Sequence, residues 1–388
     1  MELMPGYKQS DVGVIPDDWD VMSLGKLTTL VASGRSAIGK QTGDYPVHGS
    51  TGIIGNTMSP EYEGDAILAA RVGANAGRLN YVSGKYGVTD NTIIIRMNTD
   101  CCLPFFWRQL EAKRLNKLVF GSGQPLITGT QLKALPLAIP SVAEQRAIAQ
   151  ALSDVDALLA TLDQMIAKKR DLKQAAMQQL LSGKTRLPGF TGEWSRLDLN
   201  QLVSTPITDG PHMTPKFHKD GVPFLSVNNL VNNRIDLTDL RFISKEDDEI
   251  FAKKCKPRIG DVLLGKAASV GKVAIVESEF DFNIWSPIAL IRPGELIDAK
   301  FLYYQLLGVD SVEQIMLLTN SSSQGNIGMG DIERIQISFP GVKEQAAIAA
   351  VLSEMDAELL ALKSRRDKTR DLKQAMMQEL LTGKTRLV

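Results

Sequence analysis

The stretch "DLKQAAMQQLLSGKTRL" at positions 171–187 returns as "DLKQAMMQELLTGKTRL" at 371–387, with 14 of 17 positions identical. The duplication extends upstream. "IPSVAEQRAIAQALSDVDALLA" at 139–160 answers "FPGVKEQAAIAAVLSEMDAELLA" at 339–361, which aligns Pro140 with Pro340 and Glu144-Gln145 with Glu344-Gln345. A period of about 200 residues is too long for a solenoid, whose repeats run to roughly 20–50 residues. It describes the tandem duplication of one whole unit, in a 388-residue chain long enough for two or three domains.

The Gly-Lys-Thr in each copy does not form a phosphate-binding loop. Such a loop needs another glycine five positions earlier, after a strand and before a helix, whereas Gln178 and Gln378 stand there and the run into each glycine is helical in character. Gly183 and Gly383 read instead as helix C-caps, and the Lys and Arg that follow suit the negative end of a helix dipole. At the other end, Ser141-Val-Ala-Glu144 after Pro140 has the form of a capping box, with Gly341 in the serine position of the second copy. Between these limits Ile148, Leu152, Val155, Leu159, Leu162 and Ile166 step by four and three residues in turn, as in a heptad seam. The second copy gives Ile348, Leu352, Met355, Leu359 and Leu362 and then breaks at Arg366. Each helix is expected to span about 40 residues, roughly 60 Å. So narrow an apolar seam needs a partner, and the other copy is the obvious one. Short links to the segment between the copies favour an antiparallel pair. The basic clusters Lys168-Lys169-Arg170 and Arg365-Arg366 are expected to be solvated helix faces.

The segments outside the helices have a different grammar. "DAILAARVGANAGRLNYVSGKYGVTDNTIIIRM" (65–97) and "DVLLGKAASVGKVAIVESEFDFNIWSPIALIRP" (261–293) are short apolar runs punctuated by Gly, Asn and Asp, which read as strands. Each precedes an expected helix, "LPFFWRQLEAKRL" (103–115) and "DAKFLYYQLLGVDSVEQIM" (298–316). The fold class is therefore α+β: two mixed α/β heads separated by two long antiparallel coiled-coil helices, with a pseudo-two-fold internal repeat. The expected segments are 1–140 and 184–340 for the heads, and 141–183 and 341–388 for the helices. The heads have diverged far more than the helices, which suggests one shared scaffold task and two distinct recognition tasks.

Composition closes off other classes. Lys+Arg and Asp+Glu both total 44, so no global charge marks a nonspecific nucleic-acid binder. Cys101, Cys102 and Cys255 form no C-x-x-C pair, and with only His48, His212 and His218 available a zinc site is not expected. The polar, acidic start "MELMPGYKQSDVGVIPDDWD" is unlike a signal peptide, and no apolar run approaches the length of a membrane span; a cytoplasmic protein is expected. There is no G-x-G-x-x-G, no complete P-loop and no Asn/Asp-Pro-Pro-Tyr/Phe motif. The chain is thus expected to be noncatalytic.

The strings "PSVAEQRAIA" (140–149) and "PGVKEQAAIA" (340–349) entering the long helices, and "LKQAAMQQLLSGKTRL" and "LKQAMMQELLTGKTRL" leaving them, resemble the specificity subunits of type I restriction–modification systems. "YPVHGSTGIIG" (45–55) and "DGPHMTPKFHKDGVPFLSVNNL" (209–230) resemble the starts of target-recognition domains in that family. The resemblance runs over essentially the whole chain. It implies that each head reads one half of a bipartite double-stranded DNA site, and that the helices fix the spacing and dock two modification subunits. It also implies that those partners carry S-adenosylmethionine and methylate adenine, and that ATP-dependent restriction subunits join them. No cofactor is then expected in this chain. Two other readings share these features: a coiled-coil scaffold presenting its heads to protein ligands, and a specificity subunit serving a fused restriction–modification enzyme.

Base reading in the major groove calls for forked donors and amides, Arg or Lys to guanine and Asn or Gln to adenine. Polar loops of the first head offer His48, Ser50, Thr51, Arg71, Asn75, Arg78 and Gln124. Those of the second offer His212, Thr214, Lys216, Asn228, Asn229, Lys266, Ser269, Lys272 and Gln324. Small residues between the cations of Arg71–Arg78 and Lys266–Lys272 would let the backbone approach phosphates. Finally, Met4-Pro5-Gly6-Tyr7 with Trp19 resembles Leu187-Pro188-Gly189-Phe190 with Trp194, so the beginning of the chain reads like a continuation of its end.

Overall fold

A computed structural model describes residues 5–37, 43–119, 126–320 and 325–387. The chain divides into two compact units, residues 1–164 with 364–388, and residues 165–363. Each unit therefore holds one head, part of the first long helix and part of the second.

In the first unit, strands Thr28–Ser33, Thr92–Met97, Ala66–Ala70 and Leu79–Val82 form an antiparallel sheet in that order. A second sheet orders Gly52–Thr57, Tyr45–Gly49, Lys85–Val88 and Tyr62–Glu63, with Lys85–Val88 parallel to Tyr45–Gly49. All five residues of Ala66–Ala70 are buried, as its unbroken apolar run requires of a strand covered on both faces. Helix Leu103–Ala112 inserts Phe105, Phe106 and Leu110 into the core.

The second unit repeats the plan. Strands Thr208–Asp209, Ile288–Ile291, Val262–Gly265 and Val273–Ile275 form one sheet, and Arg241–Ile243, Val222–Leu225 and Asn283–Ile284 another, again with one parallel pair. The two heads also differ in detail. A hairpin of Tyr7–Ser10 and Gly13–Pro16 precedes the first sheet. The single helix expected over 298–316 is two, Ala299–Leu307 and Val309–Leu318, because Gly308 takes an extended conformation (ψ 155°) and N-caps the second.

The long helices run Val142–Leu180 and Val342–Leu380, 39 residues each. Both end where expected, with Gly183 at φ 67° and Gly383 at φ 70°, the left-handed region that favours glycine. Their starts differ from a full capping box. Ser141 Oγ accepts the Glu144 amide at 3.2 Å, but the Glu144 carboxylate turns away to a different task, described below. Within the first unit the two helical segments run antiparallel, joined by Asp156–Lys373 at 2.8 Å and Asp163–Arg366 at 3.6 Å. Within the second, Lys169–Glu358 at 2.5 Å and Lys173–Asp356 at 2.6 Å do the same. Lys169 and Arg366, expected on solvated faces, thus meet acids across the helix pair. The seam is shared between two jobs. Ile148 and Leu152 enter the core of the first head beside Leu380 and Leu381, and Ile348 and Leu352 enter that of the second beside Leu180 and Leu181. Leu162, Ile166 and Leu359 are buried, while Val155, Leu159, Met355 and Leu362 are half-buried.

The duplicated "GKTRL" closes each unit. In the first, Arg386 forks onto the buried Glu144 at 2.7 and 2.9 Å and onto Asp18 at 2.9 and 2.7 Å, while Trp19 donates to Glu144 at 3.0 Å. Tyr7 Oη donates to the Gly383 carbonyl at 3.0 Å. In the second, Arg186 forks onto the buried Glu344 with both contacts at 2.5 Å. A Cβ on Gly183 would lie 3.0 Å from the Trp194 ring, and one on Gly383 would lie 2.5 Å from Pro16 and 3.1 Å from the Trp19 ring. Glycine is required there by backbone conformation and by contact.

Candidate nucleic-acid interface

Strand register makes the two heads comparable residue by residue. Ile93 pairs with Ser33 on one side and Ala69 on the other; Ala289 pairs likewise with Asp209 and Leu264. Two residues further on, Arg71 and Lys266 leave their strands at equivalent places. Arg78 and Lys272 occupy equivalent places at the start of the return strands Leu79–Val82 and Val273–Ile275. The backbone repeats the match. The Ile127 amide donates to the Arg71 carbonyl at 2.8 Å, and the Ile327 amide to the Lys266 carbonyl at 2.9 Å. The Thr89 amide donates to the His48 carbonyl at 3.0 Å, and the Trp285 amide to the Leu225 carbonyl at 2.9 Å. Gly34 and Gly210, directly after Ser33 and Asp209, have no room for a side chain: a Cβ would stand 2.1 Å from the Val88 carbonyl oxygen and 1.8 Å from that of Ile284. In each head, loops from three strand ends are thereby tied into one cluster.

Within this cluster the first head places His48, Ser50 and Arg71. His48 is half-buried, edge-on to Tyr86 with ring centroids 6.0 Å apart, and burial lowers its imidazole pKa. Ser50 and Thr51 form the turn between Tyr45–Gly49 and Gly52–Thr57, with Thr51 exposed. Arg71 reaches Ser33 Oγ and the Asp90 carbonyl, both at 3.4 Å. Asn75 and Arg78 instead line a shallow cavity with Trp107, Glu111 and Arg114, on the side of helix Leu103–Ala112.

The second head brings together more of its expected residues. Asp209 is 4% exposed and gathers three cationic or titratable groups from three loops: Lys254 Nζ at 2.6 Å, Lys266 Nζ at 3.0 Å and His212 Nε2 at 3.2 Å. Burial pushes the Asp209 carboxyl upward, but hydrogen bonds and charge from Lys254 and Lys266 outweigh it and hold it below the usual carboxylate range. Lys272 donates to the Val227 carbonyl at 3.3 Å, which brings its loop against the turn carrying Asn228. Asn228 is exposed, as are Thr214 and Lys216, while Ser269 is half-buried. Asn229 is committed internally. Its Oδ1 accepts the Ser226 amide at 3.0 Å, and its Nδ2 donates to the carbonyls of Asp236 and Asp239 at 3.2 and 3.0 Å. Gln124 and Gln324 lie outside the described residues. Sequence reading missed Ser33, Asp209 and Lys254. Asp209 had a signal, being the acid directly before a glycine in "DGPHMTP". Lys254 is one of several lysines after helix Lys245–Ala252, and nothing local distinguishes it.

Among the described residues no group of three or more His, Cys, Asp or Glu is placed to hold a metal ion, and no helix is long and apolar enough to cross a membrane.

Comparison with known proteins now defines the class. The family model for the type I restriction modification DNA specificity domain matches residues 16–169 and again 206–369, so the chain belongs to that family, and it does so twice over. Its role is that of a DNA-specificity subunit of a type I restriction–modification complex. The type I restriction enzyme MjaVIII specificity subunit of Methanocaldococcus jannaschii is 23% identical over 96% of this chain and 94% of its own length. The S subunit of a type I restriction–modification system from M. genitalium shares the fold over 97% of this chain and 99% of that one, at a TM-score of 0.64 and 15% identity. A chain from a structure concerned with assembly and conformational transition of the type I system covers 96% of this chain and 99% of its own length, at a TM-score of 0.57 and 18% identity.

Proposed function

We propose that the head within residues 1–140 and the head within residues 184–340 each read one half of a bipartite double-stranded DNA site. The observation that carries this is the duplicated loop cluster: the same backbone frame in both heads presents different polar groups, Ser33 and Arg71 in one, Asp209 and Lys266 in the other. A shared frame with exchanged side chains is what two half-sites of different sequence require, since phosphate contacts position a protein and base-edge contacts specify sequence. In this reading His48, Ser50, Thr51, Arg71, His212, Thr214, Lys216, Asn228 and Lys272 make those contacts, with Lys266 held behind them on Asp209. The long helices, paired through their acid–lysine contacts as an antiparallel coiled coil with pseudo-two-fold equivalence, set the spacing of the half-sites and offer two like surfaces to two modification subunits. S-adenosylmethionine and ATP chemistry then belongs to the modification and restriction partners, and this chain acts without catalysis.

Methylome sequencing of a host with and without the chain tests the reading. A bipartite adenine-methylation motif is expected to vanish on deletion. Exchange of residues 184–340 for the matching segment of another such subunit is expected to change one half of the motif and leave the other intact. If both halves change together, or neither does, the assignment of one half-site to each head is wrong.

A further inference from the structure

We propose that Asp209 is a positioning residue of the second head, anchored by the buried Lys266 and holding Lys254 and His212 as a two-pronged phosphate clamp on the DNA backbone. The inference rests on the reading of that head as a half-site reader.

The geometry is unusual for a structural ion pair. One carboxylate, almost wholly buried, faces two lysines and a histidine drawn from the end of helix Lys245–Ala252, the loop after strand Val262–Gly265 and the loop after Asp209 itself. A lone Asp–Lys pair would complete the charge balance, so the cluster keeps an excess of positive charge. The charge is also unevenly displayed. The carboxylate and Lys266 are screened, with side chains 5% and 11% exposed, whereas Lys254 is 55% and His212 72% exposed. An incoming anion therefore meets N–H donors and not the acid beneath them. Phosphodiesters are the ligand class that suits such donors, because ammonium groups bind phosphate as point charges without base selectivity. Directly after Asp209, Gly210 packs its backbone against the Ile284 carbonyl. The first head shows that an acid is not needed for the fold at this place. Ser33 occupies the equivalent position and takes a single contact from Arg71 at 3.4 Å. Asp209 is thus an addition specific to the second head.

The proposal makes a prediction of counterintuitive sign. Near DNA, removing a negative charge ordinarily strengthens binding; if Asp209 positions the clamp, removing it weakens binding. The experiment uses the chain assembled with its modification subunits and a duplex carrying the motif found by methylome sequencing, titrated over a series of salt concentrations. Lys254→Ala is expected to weaken binding and to reduce the slope of log K against log salt by about 1. Asp209→Asn is expected to weaken binding despite the lost negative charge, about tenfold, the scale of one charge-assisted contact or more. The double variant Asp209→Ser with Lys266→Arg installs the pair that the first head already folds with. It is expected to keep the native melting temperature while still showing the weakened binding and smaller slope. Unchanged or tighter binding by Asp209→Asn, or an unchanged slope for Lys254→Ala, overturns the clamp. Failure of the 184–340 exchange to alter the motif would instead overturn the half-site reading on which it rests, so the two failures are distinguishable.

Discussion

Individual residues explain why the "GKTRL" ending occurs twice. Each copy supplies an arginine to a glutamate almost removed from water, Glu144 at 1% exposure and Glu344 at 3%. A buried carboxylate is tolerable only when paired and hydrogen-bonded. The two clasps are not equal. Glu144 has Arg386 and the Trp19 indole N–H, and Arg386 is further anchored by Asp18, whose carboxyl it draws below the usual carboxylate range. Glu344 has Arg186 as its ion-pair partner, and the Trp194 indole nitrogen is buried without a hydrogen-bond partner among the described residues. Arg186→Ala should therefore loosen its head more than Arg386→Ala loosens the other. The expected outcome is backbone hydrogen exchange at least about tenfold faster in the affected head, the effect of losing a hydrogen bond to a charged group; equal effects in the two heads would contradict the inequality. Cys255 offers a second residue-level check. Burial pushes its thiol up to about 12, so at pH 8 almost none of it is the reactive thiolate. Alkylation of the native protein followed by mass mapping should leave Cys255 unmodified until denaturant is added. Of these roles, the sequence showed the repeat of Arg186 and Arg386 but not their partners, because Asp18 and Trp19 lie more than 360 positions from Arg386 in sequence and only the fold brings them together.

At the level of elements, most of the architecture was legible and the exceptions have physical causes. The long helices could be read because seam, entry proline and terminal glycine agree with one another, and local consistency of that kind specifies structure strongly. The capping box was half right: Ser141 caps the helix, but the buried arginine contact claims the Glu144 side chain, a tertiary interaction that overrides a local one. The apolar residues of 298–316 run on through Gly308 and predict one helix, whereas the backbone turns extended at that glycine and divides it. The contact loops were the least legible part. Polar residues in loops look alike in sequence, and whether an Asn faces outward, as Asn228 does, or closes its own turn, as Asn229 does, depends on carbonyls seven and ten residues away. The element itself can be tested by Leu159→Pro. Proline in a helix interior removes a hydrogen bond and clashes with the preceding turn, at a cost of about 3 kcal/mol or more. The variant is expected to lose helical circular dichroism and to abolish methylation at the bipartite motif. Normal methylation with unchanged half-site spacing would count against the helix as a ruler.

At the scale of the whole chain, the two ends of the sequence belong to one compact unit, residues 1–164 with 364–388. The Tyr7 hydroxyl meets the Gly383 carbonyl at 3.0 Å, and Arg386 reaches Asp18 at 2.7 Å. The last turns of the second long helix also complete that unit's core, through Met376, Met377, Leu380 and Leu381. The sequence reading that residues 4–7 continue the theme of the closing "GKTRL" has this contact as its physical counterpart. Chain ends that are near neighbours tolerate circular permutation. Joining residue 388 to residue 4 and reopening the chain near residue 188 should therefore preserve the methylated motif, since the new break falls in an exposed stretch around Gly189. Deleting 371–388 makes the complementary test. It removes Lys373 from Asp156, Arg386 from Glu144 and five apolar residues, Met376, Met377, Leu380, Leu381 and Leu387, from the core of the first head. Hydrogen exchange should accelerate in residues 5–119, and discrimination should relax in the first half of the motif more than in the second. A permuted chain that folds yet loses recognition, or a truncation that damages both halves alike, would show that the closing repeat does something other than hold the first head in place.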